Sequence, residues 1–423
     1  MRFYLIGIKG TGMSALAISL KQLGNDVIGS DVAERFFTDE SLEENNIEFL
    51  EFNEDNITGE DLYIISAAYD YKNVEVNKIL KNKWKYYYYH DFIEQYYKGI
   101  KVGVSGTHGK TTTTRLITHL INDNNTSAII GDGVGIGNKD YLYFVIEACE
   151  YKNHFLQLTY DYLVINNIDF DHPDFFVDIN DVIKSFEKVS KKTKNLIING
   201  DDNNCKKIIH KNMYTFGLNK ENYVCGEIEE TLESGYKLKV FVENETYTYY
   251  LPFLGQHMIY NFLASFTVNY LLTKNTNIQE KLIKYKNPRR RMEEYSYYDN
   301  VIIDDYAHHP TEIKACIDTI KLKHKDKKLI VFFEPHTYSR TLALAYEFSN
   351  CFVRADELYL AKTFTSKREK YNAVLEKEVV KLFPTAKRFN QGVIKKIKNY
   401  HNCVIVFMGA GNIRKNIATI IHK

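Results

Sequence analysis

Short apolar runs alternate with amphipathic stretches three times along the chain. This is the order of βαβ units built on parallel sheets. The first block opens with a strand over Arg2–Ile8 and a helix over Met13–Leu23, then strands over Asp26–Ser30 and Leu62–Ser66. A charged, aromatic stretch over Tyr86–Lys98 precedes a new start. The second block has a strand over Lys101–Ser105, a glycine-rich turn, a helix from Lys110, and strands at Tyr143–Glu147, Leu163–Asn167 and Asn195–Asn199. The segment Tyr236–Leu251 alternates apolar and polar residues, which reads as antiparallel cover for a sheet edge. A helix follows Asn261. The third block begins near Asn287-Pro288, with strands at Val301–Asp304, Lys328–Phe333, Leu358–Ala361 and Cys403–Met408 and helices after Pro310, Arg340 and Gly411. The pattern divides the chain into domains over 1–98, 99–286 and 287–423, since 423 residues exceed one ordinary core.

Composition narrows the class rather than the chemistry. Hydrophobic residues at 44% and charged residues at 26% suit a soluble globular protein. A net charge of +1 gives no field that would gather nucleic acid or an anionic membrane, so neither is expected as a partner. The six cysteines are scattered, without metal-site spacing, and point to a reducing compartment. Gly7, Lys9 and Gly10 interrupt the first apolar run, so no signal-peptide core is expected and the cytoplasm is the expected location. The run Tyr86–Tyr89 belongs to a general excess of tyrosine, 33 in all, and reads as compositional bias.

Two glycine loops carry the first chemistry. In Gly103-Val-Ser-Gly106-Thr107-His108-Gly109-Lys110-Thr111-Thr112, glycines between strand and helix let several N–H groups face one anion. Lys110 can reach the β- and γ-phosphates, and the Thr111 hydroxyl can bind Mg²⁺. The strict phosphate-loop spacing would place glycine where Val104 stands; the strand–loop–helix context and Gly-Lys-Thr remain. The plainer reading is a glycine-rich turn with a lysine cap. Gly10, Thr11, Gly12, Met13 and Ser14 follow the first strand, and with Ala15 they match the dinucleotide fingerprint. Asp31 ends the next strand, where a ribose-binding acid is expected. The fingerprint seats a pyrophosphate on a helix N-terminus, which a UDP-sugar carries as well as NAD; tight strand–helix packing alone is the simpler alternative.

Polar clusters follow four further strands. Glu147, with Glu150 behind it, is a candidate Mg²⁺ ligand, and His172 in Asn166-Asn-Ile-Asp-Phe-Asp-His172 is a candidate for a second metal position. Asp304-Asp305-Tyr306-Ala307-His308-His309-Pro310-Thr311-Glu312 is the densest cluster, and its plain reading is a capped helix start with solvated histidines. Glu334-Pro-His-Thr-Tyr-Ser-Arg340 repeats the design one strand later, which implies adjacent strand ends sharing a pocket. Arg340 there can clamp a carboxylate. Of the basic run Arg289–Arg291, one arginine is expected on the ATP phosphates.

Together these motifs resemble the Mur ligase family, along nearly the whole chain and in the family's order. They are Gly-Thr-His-Gly-Lys-Thr-Thr-Thr at 106–113, Asn-Ile-Asp-Phe-Asp-His at 167–172, Gly255-Gln-His257-Met-Ile-Tyr-Asn261, Arg290-Arg291-Met-Glu, Asp-Asp-Tyr-Ala-His-His-Pro-Thr-Glu at 304–312 and Pro-His-Thr-Tyr-Ser-Arg-Thr at 335–341. The resemblance implies an α/β fold of three domains, each with a mostly parallel sheet: a Rossmann-like UDP-sugar domain, a central P-loop ATPase-like domain, and a Rossmann-like amino-acid domain. The stretch Gly7–Ala17 and the Tyr-Ala-His-His-Pro-Thr segment are similar to members that attach L-alanine to UDP-N-acetylmuramate, through an acyl phosphate formed with ATP. The implied roles place Lys110 and Thr111 on ATP and Mg²⁺ (or Mn²⁺), Glu147 and His172 on metal, His257 and Asn261 near adenine, and Asp304 near its ribose. They set Tyr306, His308 and Arg340 around the amino acid, with His308 or alternatively His309 orienting the amine or taking its proton. The enzyme would be a monomer or weak homodimer.

Three positions depart from the family. Thr337 stands where many L-alanine ligases have arginine, Met258 replaces an asparagine, and the place of a carbamylated lysine falls near Phe186. A nicotinamide dehydrogenase would explain only the first loop, and a non-catalytic P-loop module only the second. A recycling ligase that attaches a whole peptide to the same UDP-sugar is the rival within the family.

Overall fold

A computed structural model describes residues 2–121, 125–366 and 369–421. The first sheet contains β1 (Arg2–Ile6), β2 (Asp26–Asp31), β3 (Glu48–Glu51), β4 (Leu62–Ile65) and β5 (Tyr86–Tyr88). Its order is β3-β2-β1-β4-β5, with every pairing parallel. Parallel strands are covered on both faces, which is why Phe3, Tyr4, Leu5 and Ile6 are all buried in succession. The helix Thr11–Gln22 starts at the glycine loop itself, before the first expected apolar position. The tyrosine run is structural: Tyr86–Tyr88 forms the edge strand, and Tyr89 opens the helix Tyr89–Tyr96.

The central sheet has ten strands: β6 (Ile100–Ser105), β7 (Thr126–Ile129), β8 (Gly135–Ile136), β9 (Tyr143–Glu147), β10 (Tyr160–Ile165), β11 (Thr193–Asn199), β12 (Met213–Gly217), β13 (Val224–Leu232), β14 (Gly235–Val242) and β15 (Glu245–Leu251). The order is β15-β14-β13-β12-β11-β10-β6-β9-β7-β8. The alternating segment is the hairpin β14–β15, antiparallel and at the sheet's edge. The helix Gln256–Thr273 begins earlier than expected, at a Gly255 whose φ of +99° suits glycine. That helix is apolar nearly all round because it lies between the sheet and the helix Lys110–Ile121, with Ser265 Oγ donating to Thr113 O at 3.4 Å. Phe186 is a core residue of the helix Ile179–Ser190, its ring edge-on to Phe155 at 5.3 Å.

The third sheet contains β16 (Glu293–Tyr297), β17 (Asn300–Asp305), β18 (Lys328–Phe333), β19 (Glu357–Leu360), β20 (Lys387–Arg388) and β21 (Cys403–Met408), in the order β16-β17-β21-β18-β19-β20. One expectation fails here. The polar ends of β17 and β18 are not adjacent, because β21 runs between them. They still meet above it, since β21 runs on into Gly409-Ala410-Gly411, where there is little side chain to separate them. A Cβ on Gly409 would come 2.9 Å from Glu334 O, and one on Gly411 2.3 Å from Glu334 Oε2. The rings of His308 and His336 are consequently 5.4 Å apart.

The fold is thus α/β, three parallel-dominated sheets in sequence. All six cysteines are free thiols, and among the described residues no helix is long and apolar enough to cross a membrane.

Candidate active site

β6 lies between β10 and β9, so the loop that leaves it is flanked by the ends of both. Gly106 and Gly109 take φ of +128° and +78°, which bends the chain back over the start of the helix Lys110–Ile121. Close approach also demands glycine at 109, where a Cβ would fall 2.5 Å from Asn261 Oδ1. Lys110 Nζ donates to Gly106 O at 2.6 Å, Thr107 O at 3.0 Å and Glu150 Oε1 at 3.1 Å, using all three of its protons. Burial works against its charge, but the carboxylates of Glu150 and Glu147 outweigh it and hold the ammonium above the ordinary lysine range.

β9 delivers Glu147, whose Oε2 accepts from the Thr111 hydroxyl at 2.8 Å. Burial lifts this carboxyl above its usual range, against the pull of Lys110. β10 delivers Asn166–His172 on the other side. His172 Nε2 lies 3.7 Å from Glu150 Oε1, with its ring 4.6 Å from that of Tyr151. Thr111 thus meets Glu147, while Lys110 and His172 meet Glu150. A partly buried carboxylate beside a hydroxyl, as at Glu147 and Thr111, is a donor pair that fits Mg²⁺ or Mn²⁺.

A cavity of about 700 Å³ opens between the second and third domains. His108, Gly109, Thr112, His257 and Asn261 line it, as does Met258. Burial and Arg291 lower the His257 imidazole to about 4, so it is neutral. Two residues expected there face elsewhere. Asp304 points to the opposite side of β17, 3.0 Å from Arg414 Nε, and Arg290 follows it, donating to Gly409 O at 2.7 Å. The period-2 alternation of the strand puts Asp305 on the cavity wall instead, together with Arg291. Burial lifts Asp305 to about 6.

A second cavity of about 520 Å³ lies between the first and second domains, lined by Gly10, Thr11, Gly12 and Met13. Ser14 is turned away and reaches Gly133 O at 3.4 Å. Asp31 is buried and its carboxylate is engaged within the first domain: Oδ2 accepts from Lys9 N–H at 2.8 Å, and Oδ1 from Val32 N–H at 2.8 Å and the Tyr69 hydroxyl at 2.9 Å. Tyr89, His90 and His154 line this cavity and were missed. Tyr89 is so close that a Cβ on Gly12 would lie 2.8 Å from its hydroxyl; a tyrosine run disguised it. Glu147, which accepts from Thr111 of the phosphate loop, lines this second cavity, while His108 and Gly109 of that loop line the first.

At the third domain's strand ends, Tyr306 lies under Arg290 and Arg291, at 4.7 and 5.1 Å from ring centre to guanidinium. His308 Nδ1 is 3.0 Å from Tyr306 O, and a carbonyl only accepts, so Nδ1 carries the proton and Nε2 the lone pair. Burial and Arg340 push His308 down to about 3. His309 lines neither cavity. It caps the helix Pro310–Lys323 through Nδ1 and bonds Phe170 O through Nε2 at 3.1 Å. Arg340, 3% exposed, reaches across to the central domain and pairs with Asp171.

The comparisons agree on all three domains. The Mur ligase family catalytic domain matches residues 2–100, the Mur ligase middle domain 104–269, and the Mur ligase glutamate ligase domain 290–411. A UDP-N-acetylmuramate-alanine ligase from Thermotoga maritima is 24% identical with a TM-score of 0.82, over 100% of this chain and 98% of that one. A murein peptide ligase from Psychrobacter arcticus is 20% identical at 0.72, over 100% and 98%. A pseudomurein peptide ligase type C from Methanothermus fervidus is 20% identical at 0.65, over 99% and 99%. With each domain matched in order along almost its whole length, this chain belongs to the Mur ligase family.

Proposed function

We propose that this Mur ligase joins L-alanine to the lactyl carboxylate of UDP-N-acetylmuramate. Family membership makes it an ATP-dependent ligase of peptidoglycan precursor synthesis. One observation carries the finer reading: two nucleotide-sized cavities flank the phosphate loop, His108 and Gly109 lining the larger and Glu147, which accepts from Thr111 of that loop, lining the smaller. The UDP-sugar would occupy the cavity of the first domain, its pyrophosphate on Gly10–Met13. ATP would occupy the larger cavity, near His257 and Asn261. The two reacting groups then meet at Lys110.

The chemistry follows from that meeting. A carboxylate is a poor acyl donor, and phosphorylation supplies a leaving group. Lys110 neutralises the charge on the phosphoryl group in transit, and the loop N–H groups orient it. Thr111, Glu147 and His172 would hold Mg²⁺, which supplies further charge neutralisation when bound. The amine then displaces phosphate from the acyl phosphate. His308, neutral with Nε2 as acceptor, orients that amine, and Arg340 holds its carboxylate. Packing at the third strand ends favours a small amino acid over a peptide: Tyr306, His308 and His336 lie ring to ring at 5.2 and 5.4 Å. The cytoplasm, where ATP and UDP-sugars are available, is the location this reading requires.

The test is phosphate release from ATP with UDP-N-acetylmuramate present, adding L-alanine, other amino acids or the L-alanyl tripeptide in turn. Stimulation by L-alanine that is lost in Lys110→Ala is the expected result. Stimulation only by the peptide would assign the chain to recycling.

A further inference from the structure

Where the central and third domains touch, three metal-binding side chains converge that the proposed reaction does not use as a set. His108 comes from the phosphate loop, Asp169 from the segment after β10, and His309 from the start of the helix Pro310–Lys323. Among the described residues this is the one group of three such side chains whose ligand atoms all lie within 4.8 Å of one another. His108 Nε2 is 3.4 Å from Asp169 Oδ2, and His309 Nδ1 is 3.9 Å from the same oxygen. Ligands bonded to a tetrahedral zinc ion at ordinary lengths are separated by about 3.4 Å. The two distances to Asp169 are close to that spacing, and the histidine nitrogens lie within 4.8 Å of each other.

The partners behind these atoms give an independent sign. A metal-bound imidazole generally directs its other nitrogen at a carboxylate or a carbonyl. His108 directs Nδ1 at Glu312 Oε1, 3.5 Å away, and His309 directs Nε2 at Phe170 O, 3.1 Å away. Since that carbonyl can only accept, the His309 proton is on Nε2. Its Nδ1 lone pair faces the cluster and caps the helix through a long 3.3 Å bond from Thr311 N–H, which a metal ion would replace. Asp169 Oδ1 accepts from Phe170 N–H at 2.8 Å, and the Thr311 hydroxyl bonds Oδ2 at 2.8 Å, so the carboxylate is also fixed in place. Asp169 is two-fifths exposed and lines the larger cavity, which gives an ion a way in.

We propose that His108, Asp169 and His309 form a binding site for a transition-metal dication of the zinc type, distinct from the Mg²⁺ position at Thr111 and Glu147. Two imidazoles and one carboxylate suit Zn²⁺ or Co²⁺ and suit Mg²⁺ poorly. Because His309 belongs to the third domain and the other two ligands to the second, the bound ion ties those domains together at the mouth of the nucleotide cavity. The site does not depend on which substrate the ligase takes.

Zn²⁺ is titrated into the whole, nucleotide-free chain in millimolar Mg²⁺ against a chromophoric chelator, and Co²⁺ is added in parallel for its visible spectrum. One equivalent of Zn²⁺ that Mg²⁺ does not displace is expected, with the intense bands of four-coordinate cobalt. His309→Asn and, on the exposed side, Asp169→Asn should each abolish both, while Glu147→Gln keeps them. Zinc retained by both variants, or lost in Glu147→Gln, overturns the site. So does a weak six-coordinate cobalt spectrum in the unmutated protein, which needs no variant to fold.

Discussion

Arg340 of the third domain and Asp171 of the second form a two-pronged ion pair, Nε to Oδ1 at 2.7 Å and Nη2 to Oδ2 at 3.2 Å. The arginine is also 2.8 Å from His336 Nδ1. The group proposed to hold the amino-acid carboxylate thus already holds a carboxylate of the protein. Burial opposes the charge on Asp171, but Arg340 outweighs it and sets the carboxyl well below its usual range. Its folded value being depressed, the pair contributes above the ordinary carboxylate range and is lost as pH falls through the depressed value.

Arg340→Lys removes the fork that fits a carboxylate. It should lower kcat/KM for the amino acid by roughly 100-fold and leave the KM for ATP within about a factor of three, by the loss of a charged two-point contact. Asp171→Asn leaves a buried guanidinium without its counter-charge and should cost about 3 kcal/mol of stability. Thermal unfolding and steady-state kinetics check both. An unchanged amino-acid KM with kcat intact in Arg340→Lys would remove Arg340 from the site.

Lys110 and Glu150 are coupled in the same way, at 3.1 Å in a buried setting. Lys110→Met should abolish phosphate release and, by stranding Glu150, destabilise the protein by about 3 kcal/mol. Adding Glu150→Gln should restore most of the melting temperature and none of the activity. Activity recovered in the double variant would show that the lysine serves folding rather than phosphoryl transfer.

The two glycine loops were legible because their requirements are local. Positive φ, Gly-Lys-Thr and a strand before a helix are all written in adjacent residues. The block pattern likewise gave the strands of each sheet to within a few residues at Lys328–Phe333 and Cys403–Met408. What could not be read was the choice between neighbours. Whether Asp304 or Asp305, Arg290 or Arg291, meets the cavity depends on the face β17 presents. Pairing with β16 and β21 sets that face. The insertion of β21 between β17 and β18 is a long-range event with no local signature. His309 looked like an active-site histidine because it stands beside His308, yet Pro310 at the helix start makes it a cap.

Glu334 supplies a pH dependence in the third domain. Burial lifts its carboxyl from 4.5 to about 7, only partly offset by the Ile413 N–H that meets it at 3.2 Å. A raised folded value means the native state holds the proton longer than the unfolded chain. The stability contribution is full below 4.5 and is lost as pH rises through about 7. Glu334→Gln should therefore flatten the melting temperature between those limits and raise stability at pH 8 by about 3 kcal/mol. A variant curve parallel to the unmutated one would mean the carboxyl is ionised throughout.

His308 is the sharpest test of the proposed chemistry. Held near 3, its imidazole is neutral across the working range and too weak a base to keep a proton. An orienting role needs only an acceptor at Nε2, which the Gln side chain can place there. His308→Gln should therefore retain about ten times the kcat of His308→Ala, which loses roughly 100-fold, the lower range for positioned proton-accepting groups. The acid limb of kcat against pH should stay in place in His308→Gln, because it then belongs to the incoming amine and not to this histidine. A limb near 6.5 that disappears in His308→Gln would establish that the imidazole regains its ordinary basicity when substrates bind and takes the proton itself.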